Sequence, residues 1–472
     1  MAIYQLGGEM NKVVKDYIKE LGYENVIDNN HEQLVDNWLK WYKGKTDKHI
    51  YKVYNGKIYN KIEMKSLNIA SQSCGDISDF YFNEKLDITI NDKETQETIN
   101  KILMQNNFLY NCNYLMQLTE ALGTGAIVPY LDKDKLRINY IPAPNIVILG
   151  CRENIPTEVL FFSEEKTKKG TEITINTHLL DDNDNYVIHN KKYLVDDNGN
   201  SSEIEIDEKI KEIKTNSPLP KFGLLKTSIV NNIDINSPYG ISIYANALDN
   251  ILAIDRVFDS LDIEVALGRK RIFVSGDATS FNTDSNGNIT PVFDSTDIAY
   301  YQVPGKEGTE PIKESNGELR IDQLSNALQY QLNMWSSKIG LGHNYYKFKD
   351  GQVYVNTDNV MSSNSDVYRK IKKQENIITN CLINVIYAIA ELIGIKTQFE
   401  VSVDYDDSII EDKEQIRKQA LTEYNTGLIS KAQYYRDVYK LKEDTAVDFM
   451  NDMNKEIKEG TIVEGEEDTF IE

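Results

Sequence analysis

"DRVFDSLDIEVALGRKRIFVSG", residues 255–276, joins a helical pattern to a strand-like one, and the fold is decided at that junction. Three acidic residues recur at helical spacing and fall on one stripe of an α-helix: Asp255, Asp259 and Asp262. Three consecutive basic residues then follow Gly268 and lead into the strand-like run 272–274: Arg269, Lys270 and Arg271. We therefore predict a helix that ends near Gly268 and a strand that starts directly after it.

The helical pattern extends backwards to about Gly240, so we predict one long helix over 239–269. Its apolar residues cover more than one stripe: Leu248, Ile251, Leu252, Ile254, Val257, Phe258, Leu261, Ile263 and Val265. A helix that is apolar nearly all round needs neighbours on several sides. We therefore expect contacts from other subunits, with a large intramolecular helical core as the alternative.

The second half of the chain alternates long helices with shorter elements. A block rich in β and turn residues (270–317) is followed by a helix that runs to Gly340, a loop, and a helix around 360–393. The apolar run 377–395 is interrupted by Asn380, Asn384 and Glu391, so we predict a helix buried in protein rather than in a membrane. A strand over 397–407 and a charged helical region complete the pattern.

The first half mixes helices and strands. We predict helices within 31–45 and 66–82, and a single helix over 97–125 that is closed by Gly123 and Gly125. Alternating segments from 126 to 195 then indicate strands, and polar turns such as DDNDN (181–185) and DDNGN (196–200) separate several of them.

Composition excludes several classes of protein. The formal charge is −22, from 52 basic and 74 acidic side chains, whereas a protein that grips DNA needs a basic surface. The four cysteines are scattered without a CxxC pair, which favours a reducing compartment over a disulfide framework or a zinc site. The first residues contain no apolar signal core, so we expect no secretion signal.

No catalytic pattern is present in the sequence. The five histidines lack metal spacing, and the Gly-rich stretch 121–127 follows a helix rather than a strand, opposite to the order in nucleotide-binding folds. Asp404, Asp406 and Asp407 lie close together, and we interpret them as a solvated strand end; a metal-dependent hydrolase is the alternative. We therefore predict no enzyme activity and no catalytic, cofactor or metal residues.

Four stretches, in order along the chain, resemble the portal proteins of tailed bacteriophages, specifically the SPP1-like portal family. The early part of that family is similar to DNWLKWYKGK (36–45) with the segment 66–88. Its first stem helix resembles YGISIYANALDNILAIDRVFDSLDIEVALGRKRIFV (239–274). VNTDNVMSSNSDVYRKIKKQENII (355–378) resembles the start of the helix after the tunnel loop, and 403–453 the C-terminal segment.

The resemblance implies an α+β portal fold with an α/β wing, a long-helix stem, a small α/β clip and a helical crown, assembled into a ring. By position, these regions would be a wing (1–238 with 397–407), stem helices (239–269 and 318–339), a clip (270–317), a tunnel loop (340–360), a long helix (361–396), a crown (408–458) and an acidic tail (459–472). The crown is short, which leaves its extent open.

The family also implies what the protein does and where it acts. The ring, a dodecamer, would sit at one capsid vertex of the virion after assembly in the bacterial cytoplasm, and it would pass double-stranded DNA during packaging and ejection. Its partners would be the terminase large subunit, a head-tail adaptor, and the major capsid and scaffold proteins, with no membrane and no cofactor. A structural protein of a phage-derived tail-like particle is the alternative.

Within this hypothesis three groups of residues are candidates for a site. The loop with Tyr345, Lys347 and Lys349 would approach DNA, and packing of its aromatic residues on the stem is the alternative. Asp255, Asp259 and Asp262 would mark a polar side that faces either the DNA or an outer groove. Arg269, Lys270 and Arg271 would contact a neighbouring subunit at the start of the clip, although the helix dipole alone accounts for one or two of these cations.

Overall fold

The structure is a computed structural model of the 472-residue chain. It describes residues 10–26, 28–54, 57–82, 86–132, 135–196, 198–268, 271–275, 281–283, 289–291, 300–303, 312–315, 317–349, 352–355, 364–395, 398–405 and 413–439.

The N-terminal part contains three helices and a projecting hairpin. In chain order the elements are α1 (Lys12–Glu20), α2 (Asn29–Tyr42), β1 (Ile50–Tyr54), β2 (Tyr59–Glu63), α3 (Ile69–Asp79) and β3 (Asp87–Ile90). Asp28 caps α2 by accepting a hydrogen bond from the amide of Asn30, and the chain leaves that helix through Gly44, whose φ is +65°. The predicted helices in this region are therefore confirmed.

The predicted single helix over 97–125 is wrong, because the chain breaks in its middle. The structure contains two helices, α4 (Lys93–Gln105) and α5 (Phe108–Leu122). Asn107 adopts a left-handed conformation (φ +47°), and the side chain of Asn106 donates to the carbonyl of Ile102 at the end of α4. Asparagine tolerates that backbone conformation and competes for backbone hydrogen bonds, so the pair ends one helix and starts the next.

The following segments form antiparallel sheets. The strands are β4 (Thr124–Asp132), β5 (Lys135–Pro142), β6 (Ile146–Arg152), β7 (Ile155–Thr167), β8 (Gly170–Leu180), β9 (Tyr186–Val195), β10 (Ser201–Glu203), β11 (Glu212–Lys214) and β12 (Gly223–Lys226), with a short helix, α6 (Glu208–Lys211), before β11. One sheet has the order β10-β9-β8-β7-β6, with β11 also paired to β9, and a second has the order β12-β4-β5. The hairpin turns lie at the polar segments that the sequence indicated.

The long helix α7 spans Leu248–Leu267, so it starts about eight residues later than predicted. The preceding segment bonds in part to α5 and to the start of β4: the amide of Ile243 donates to the carbonyl of Glu120, and that of Gly240 donates to the hydroxyl of Thr124. The backbones of Gly240 and Gly123 touch, and a Cβ on Gly240 would overlap the carbonyl oxygen of Gly123. These contacts replace the first helical turns.

The remaining elements follow the predicted alternation, with two differences. They are β13 (Arg271–Ser275), β14 (Phe281–Thr283), β15 (Ile289–Pro291), β16 (Tyr300–Val303), β17 (Ile312–Ser315), α8 (Ile321–Ile339), β18 (Tyr346–Lys349), β19 (Gln352–Val355), α9 (Asn364–Leu392), β20 (Val401–Asp404), α10 (Lys413–Asn425) and α11 (Lys431–Tyr439). The region predicted as a loop contains the β18–β19 hairpin, and α8 starts three residues after the predicted position 318.

Helices α7 and α8 form an antiparallel pair. Glu264 near the end of α7 meets Arg320 at the start of α8, and the carbonyl of Asn246, before α7, accepts from Lys338 near the end of α8. One large apolar core joins these helices to α2, α3, α5 and α9, with Trp38, Trp335 and Ile386 fully buried. The fold is therefore of the mixed helix and sheet class, α+β, as predicted.

The predicted buried helix over 377–395 corresponds to the last part of α9. Cys381, Leu382 and Val385 lie in the core, and α9 packs on β12 and β4. Among the residues that the structure describes, no helix is both long enough and apolar enough to span a bilayer.

We predict that Gly240→Ala destabilises the protein, because the added methyl group must displace the backbone of Gly123. Overpacking of this kind costs about 1–3 kcal/mol. The midpoint of urea unfolding is the measurement, and Gly317→Ala, at a position where a Cβ meets nothing within 4 Å, is the matched control. Equal midpoints for the two variants would contradict the backbone contact.

Candidate functional site

The acidic stripe of α7 binds the segment that leads into and out of the β1–β2 hairpin. Asp255 is fully buried and accepts hydrogen bonds from the amide of Leu67 (2.8 Å) and the hydroxyl of Ser66 (3.0 Å). The Nε2 atom of buried His49 lies 2.9 Å from the same carboxylate, at ion-pair distance, although its ring N–H does not point along a hydrogen bond. One carboxylate thus holds both flanks of the hairpin.

The next two carboxylates of the stripe extend this attachment. Asp259 accepts hydrogen bonds from the amide of Lys65 (3.0 Å) and from the hydroxyl of Tyr51 (3.1 Å). Asp262 pairs with the ammonium group of Lys65 at 2.7 Å, and both side chains of that pair are largely exposed. The stripe therefore changes along α7 from a buried anchor to a solvated ion pair, and the buried end carries most of the stabilisation.

Burial raises the pKa of the Asp255 carboxyl above its ordinary value, while the hydrogen bonds from Leu67 and Ser66 and the nearby His49 act in the opposite direction. The structure corrects the expectation that the whole stripe marks a side open to DNA or to an outer groove. Asp255 and Asp259 are buried under the hairpin segment of their own protomer, and of the three only Asp262 is exposed.

The far end of α7 is fixed by a two-point ion pair. Arg320 donates from Nε and from an Nη nitrogen to the two oxygens of Glu264, at 3.0 and 2.7 Å, and its amide donates to the same carboxylate. The guanidinium lowers the pKa of the Glu264 carboxyl, chiefly through its side-chain hydrogen bonds. This pair closes the base of the segment that contains β13–β17, because it joins the last turn of α7 to the first residue before α8.

The basic residues at the end of α7 are only partly described. Arg269 and Lys270 lie outside the described residues, and Arg271 is the first residue of β13. Their expected subunit contact stays a prediction.

The predicted DNA-approaching loop is a hairpin whose aromatic residues point inwards. Tyr345 is buried edge-on against Phe80, so its ring is not available to a polymer, which corrects that part of the expectation. The buried hydroxyl of Tyr346 donates to Asp76 at 2.6 Å, and burial raises its pKa. Lys347 is half-buried on β18, whereas Lys349 ends that strand.

Several apolar side chains on α7 and α8 are exposed in the part of the protomer that the structure describes. Val265 is 54% exposed and Tyr330 is 64% exposed, and Ile263 and Met334 are exposed as well. By contrast, Ile251 and Ile254 at the start of α7 are buried in the large core. The first half of α7 therefore completes an internal core, which was the alternative explanation, whereas its second half presents apolar groups outwards and the expected contacts with other subunits stay a prediction.

Asp404, proposed above for the alternative metal site, ends β20 opposite Asp87, while Asp406 and Asp407 lie outside the described residues. Across the part of the chain that the structure describes, no group of three or more metal-ligating side chains is assembled.

Sequence reasoning missed the partners of the acidic stripe, which are Tyr51, Lys65 and the buried His49. A signal existed in composition, since residues 43–65 contain seven lysines and two acidic residues in a strongly acidic chain. That bias indicates an acidic partner, but it does not say that part of the partner is a helix 194 residues further along the chain.

We predict that Asp255→Ala lowers the free energy of unfolding by about 3 kcal/mol, since it leaves the Leu67 amide and the Ser66 hydroxyl without their acceptor and removes the carboxylate beside buried His49. Hydrogen exchange of the Leu67 amide should accelerate with it. Asp262→Ala on the same stripe is the control and should cost less than about 1 kcal/mol, because it removes one exposed ion pair. Similar losses in both variants would contradict the assignment of Asp255 as the anchor.

A comparison with models of protein families identifies the family of this chain. A family model described as phage portal protein, SPP1 Gp6-like, matches residues 24–460. No protein with a curated description matches the chain. Among solved structures, a chain described as "Neck of native GTA particle computed with C12 symmetry" is similar over 77% of this chain and 87% of its own length, with a TM-score of 0.37 and 10% sequence identity, a level that adds nothing to the assignment. The match over nearly the whole chain shows that the protein belongs to the SPP1 Gp6-like family of phage portal proteins.

Proposed function

We propose that this portal protein assembles through α7 and α8 into a closed ring, a dodecamer, at one vertex of a tailed-phage capsid. Double-stranded DNA passes through its axial channel during packaging and ejection. The observation that supports the proposal is the set of apolar side chains that α7 and α8 leave exposed, in a chain that belongs to the portal family. Exposed apolar groups on packed helices are stabilised when neighbouring subunits cover them around a cyclic interface.

The regions of the ring are assigned by position. In this proposal the wing comprises 1–238 with 397–407, the stem 239–269 and 318–339, and the clip 270–317. A tunnel loop (340–360), the long helix (361–396), a crown (408–458) and the acidic tail (459–472) complete it. The ion pair between Glu264 and Arg320 supports the boundary between stem and clip, because it closes the base of the inserted strands.

The acidity of the chain suits a conduit. DNA must move through the ring, and a surface that neutralised many phosphates would release counterions, bind tightly and hold the polymer in place. A net charge of −22 keeps such binding weak. Catalysis would then belong to the partners, since the portal family is structural. The partners we propose are the terminase large subunit, a head-tail adaptor, and the capsid and scaffold proteins.

Electron microscopy of the purified chain tests the ring. We expect closed rings with an axial channel, and a mass measurement should give twelve subunits. Val265→Glu should reduce the ring fraction, because it places a charge within the proposed apolar interface. Ile155→Glu, at an exposed apolar position at the start of β7, is the matched control. A chain that stays monomeric even when produced with scaffold and capsid proteins would refute the proposal, and rings found only in DNA-free tail-like particles would favour the alternative.

We also propose that Lys347 and Lys349 on β18 contact the passing DNA. Two isolated cations give transient phosphate contacts without creating a strong binding site. We expect the double variant Lys347→Ala, Lys349→Ala to lower the rate of DNA packaging severalfold while ring assembly stays intact. The double variant Lys168→Ala, Lys169→Ala, at the exposed turn between β7 and β8, controls for the loss of charge. Unchanged packaging would remove this role.

A further inference from the structure

The β1–β2 hairpin is an exposed ribbon on a fixed base. Every residue of its two strands is exposed except Tyr51, which is half-buried, and the exposed residues include Ile50 (50%), Tyr54 (57%) and Tyr59 (69%). A two-stranded hairpin is marginally stable in water, and clustered exposed apolar side chains mark interaction sites on soluble proteins. The flanks are held on α7 by Asp255 and Asp259, so the ribbon projects from a defined place.

The register separates the two faces of the ribbon. Tyr51 binds Asp259, so its face is turned towards α7 at the base. The opposite face, here called the outer face, carries three cross-strand pairs: Ile50 with Glu63, Lys52 with Lys61, and Tyr54 with Tyr59. The rings of Tyr54 and Tyr59 lie 5.0 Å apart, which gives the outer face an aromatic end. Lysines at its centre are thus flanked by apolar groups on both sides.

An anion from outside the protomer would relieve the repulsion within the central lysine pair. Like charges directly opposite each other on neighbouring strands are destabilising. Lys52 and Lys61 form no ion pair with any residue in the described ranges. The surrounding segment 43–65 has a net charge of +5, which leaves −27 for the rest of the chain. Any other copy of this protein therefore presents the counter-charges in excess.

We propose that the outer face of the β1–β2 hairpin docks on an acidic, partly apolar surface of a second copy of this chain in the ring. The inference rests on the ring proposed above and identifies one of its contacts. A protein surface fits better than DNA, because a phosphate backbone would satisfy Lys52 and Lys61 but would leave Ile50 in water and would repel Glu63. The fixed base of the hairpin suits a permanent contact between identical subunits.

Site-specific photocrosslinking of the full-length chain tests the partner. p-Benzoylphenylalanine in place of Tyr59 should, on irradiation of assembled rings, give a covalent dimer of the chain whose linked peptides join the hairpin to a different region of the second copy. The same sample diluted until rings dissociate should lose the dimer. Crosslinks only within one subunit, or only to capsid protein or DNA in particles, would overturn the proposal. Absence of rings would instead count against the proposed function.

Charge reversal tests the chemistry of the contact. Lys52→Glu with Lys61→Glu should weaken subunit association about tenfold, through the loss of two charge pairs and the repulsion by the acidic partner. Lys168→Glu with Lys169→Glu is the control, because it makes the same charge change at an exposed turn. Sedimentation velocity measures the ring fraction of both. Because the hairpin lysines are exposed, the reversed subunit should keep its unfolding midpoint. Equal ring fractions in the two variants would overturn the proposal.

Discussion

A carboxylate that leaves water must receive hydrogen bonds, and the way Asp255 meets this requirement fixes the relative positions of distant parts of the chain. Its oxygens accept hydrogen bonds from Leu67 and Ser66, which precede it by 188 and 189 residues, and they face His49, which lies still earlier in the chain. The same helix packs on α8, and the ion pair between Glu264 and Arg320 joins the end of α7 to the start of α8. The β1–β2 hairpin, α8 and the base of the inserted strands β13–β17 are therefore all attached to α7.

The described part of the protomer leaves two kinds of surface exposed, and each would make a different contribution to the proposed ring. The second half of α7 and the outer side of α8 expose apolar side chains, whereas the hairpin exposes apolar groups around paired lysines. Apolar area gives an assembly its stability, and buried charge pairs give it orientation. Helix packing alone allows neighbouring subunits to slide along the helix axes. In the proposed ring, a charged β1–β2 hairpin attached at a fixed position on α7 would set the axial register between subunits.

The sequence predicted the α+β class and the alternation of long helices with small β segments. It also predicted that α2, α7 and α8 end close to a glycine. These features follow from local periodicity and from the helix-stopping property of glycine. It failed where a distant segment competed with a local pattern. Residues 240–247 have helical periodicity, yet the amides of Gly240 and Ile243 bond to β4 and α5 instead of continuing the helix. Asp255 and Asp259 have the spacing of a solvated stripe, yet the hairpin flanks cover them. Periodicity reports that a residue lies on a face, but not what packs against it.

The pairing of β3 with β20 has a consequence for how subunits are made. These strands lie near opposite ends of the described chain, and Glu400 donates to Asn91 across 309 positions of sequence. During translation β3 leaves the ribosome long before β20 has been made. Ile88 and Ile90 therefore have no neighbouring strand until almost all of the chain has been synthesised. A prematurely terminated chain would keep that edge open and its helices poorly supported. The β3–β20 pair can thus form only after synthesis has passed Asp404, so a chain that ends before β20 would reach its neighbours without this pair.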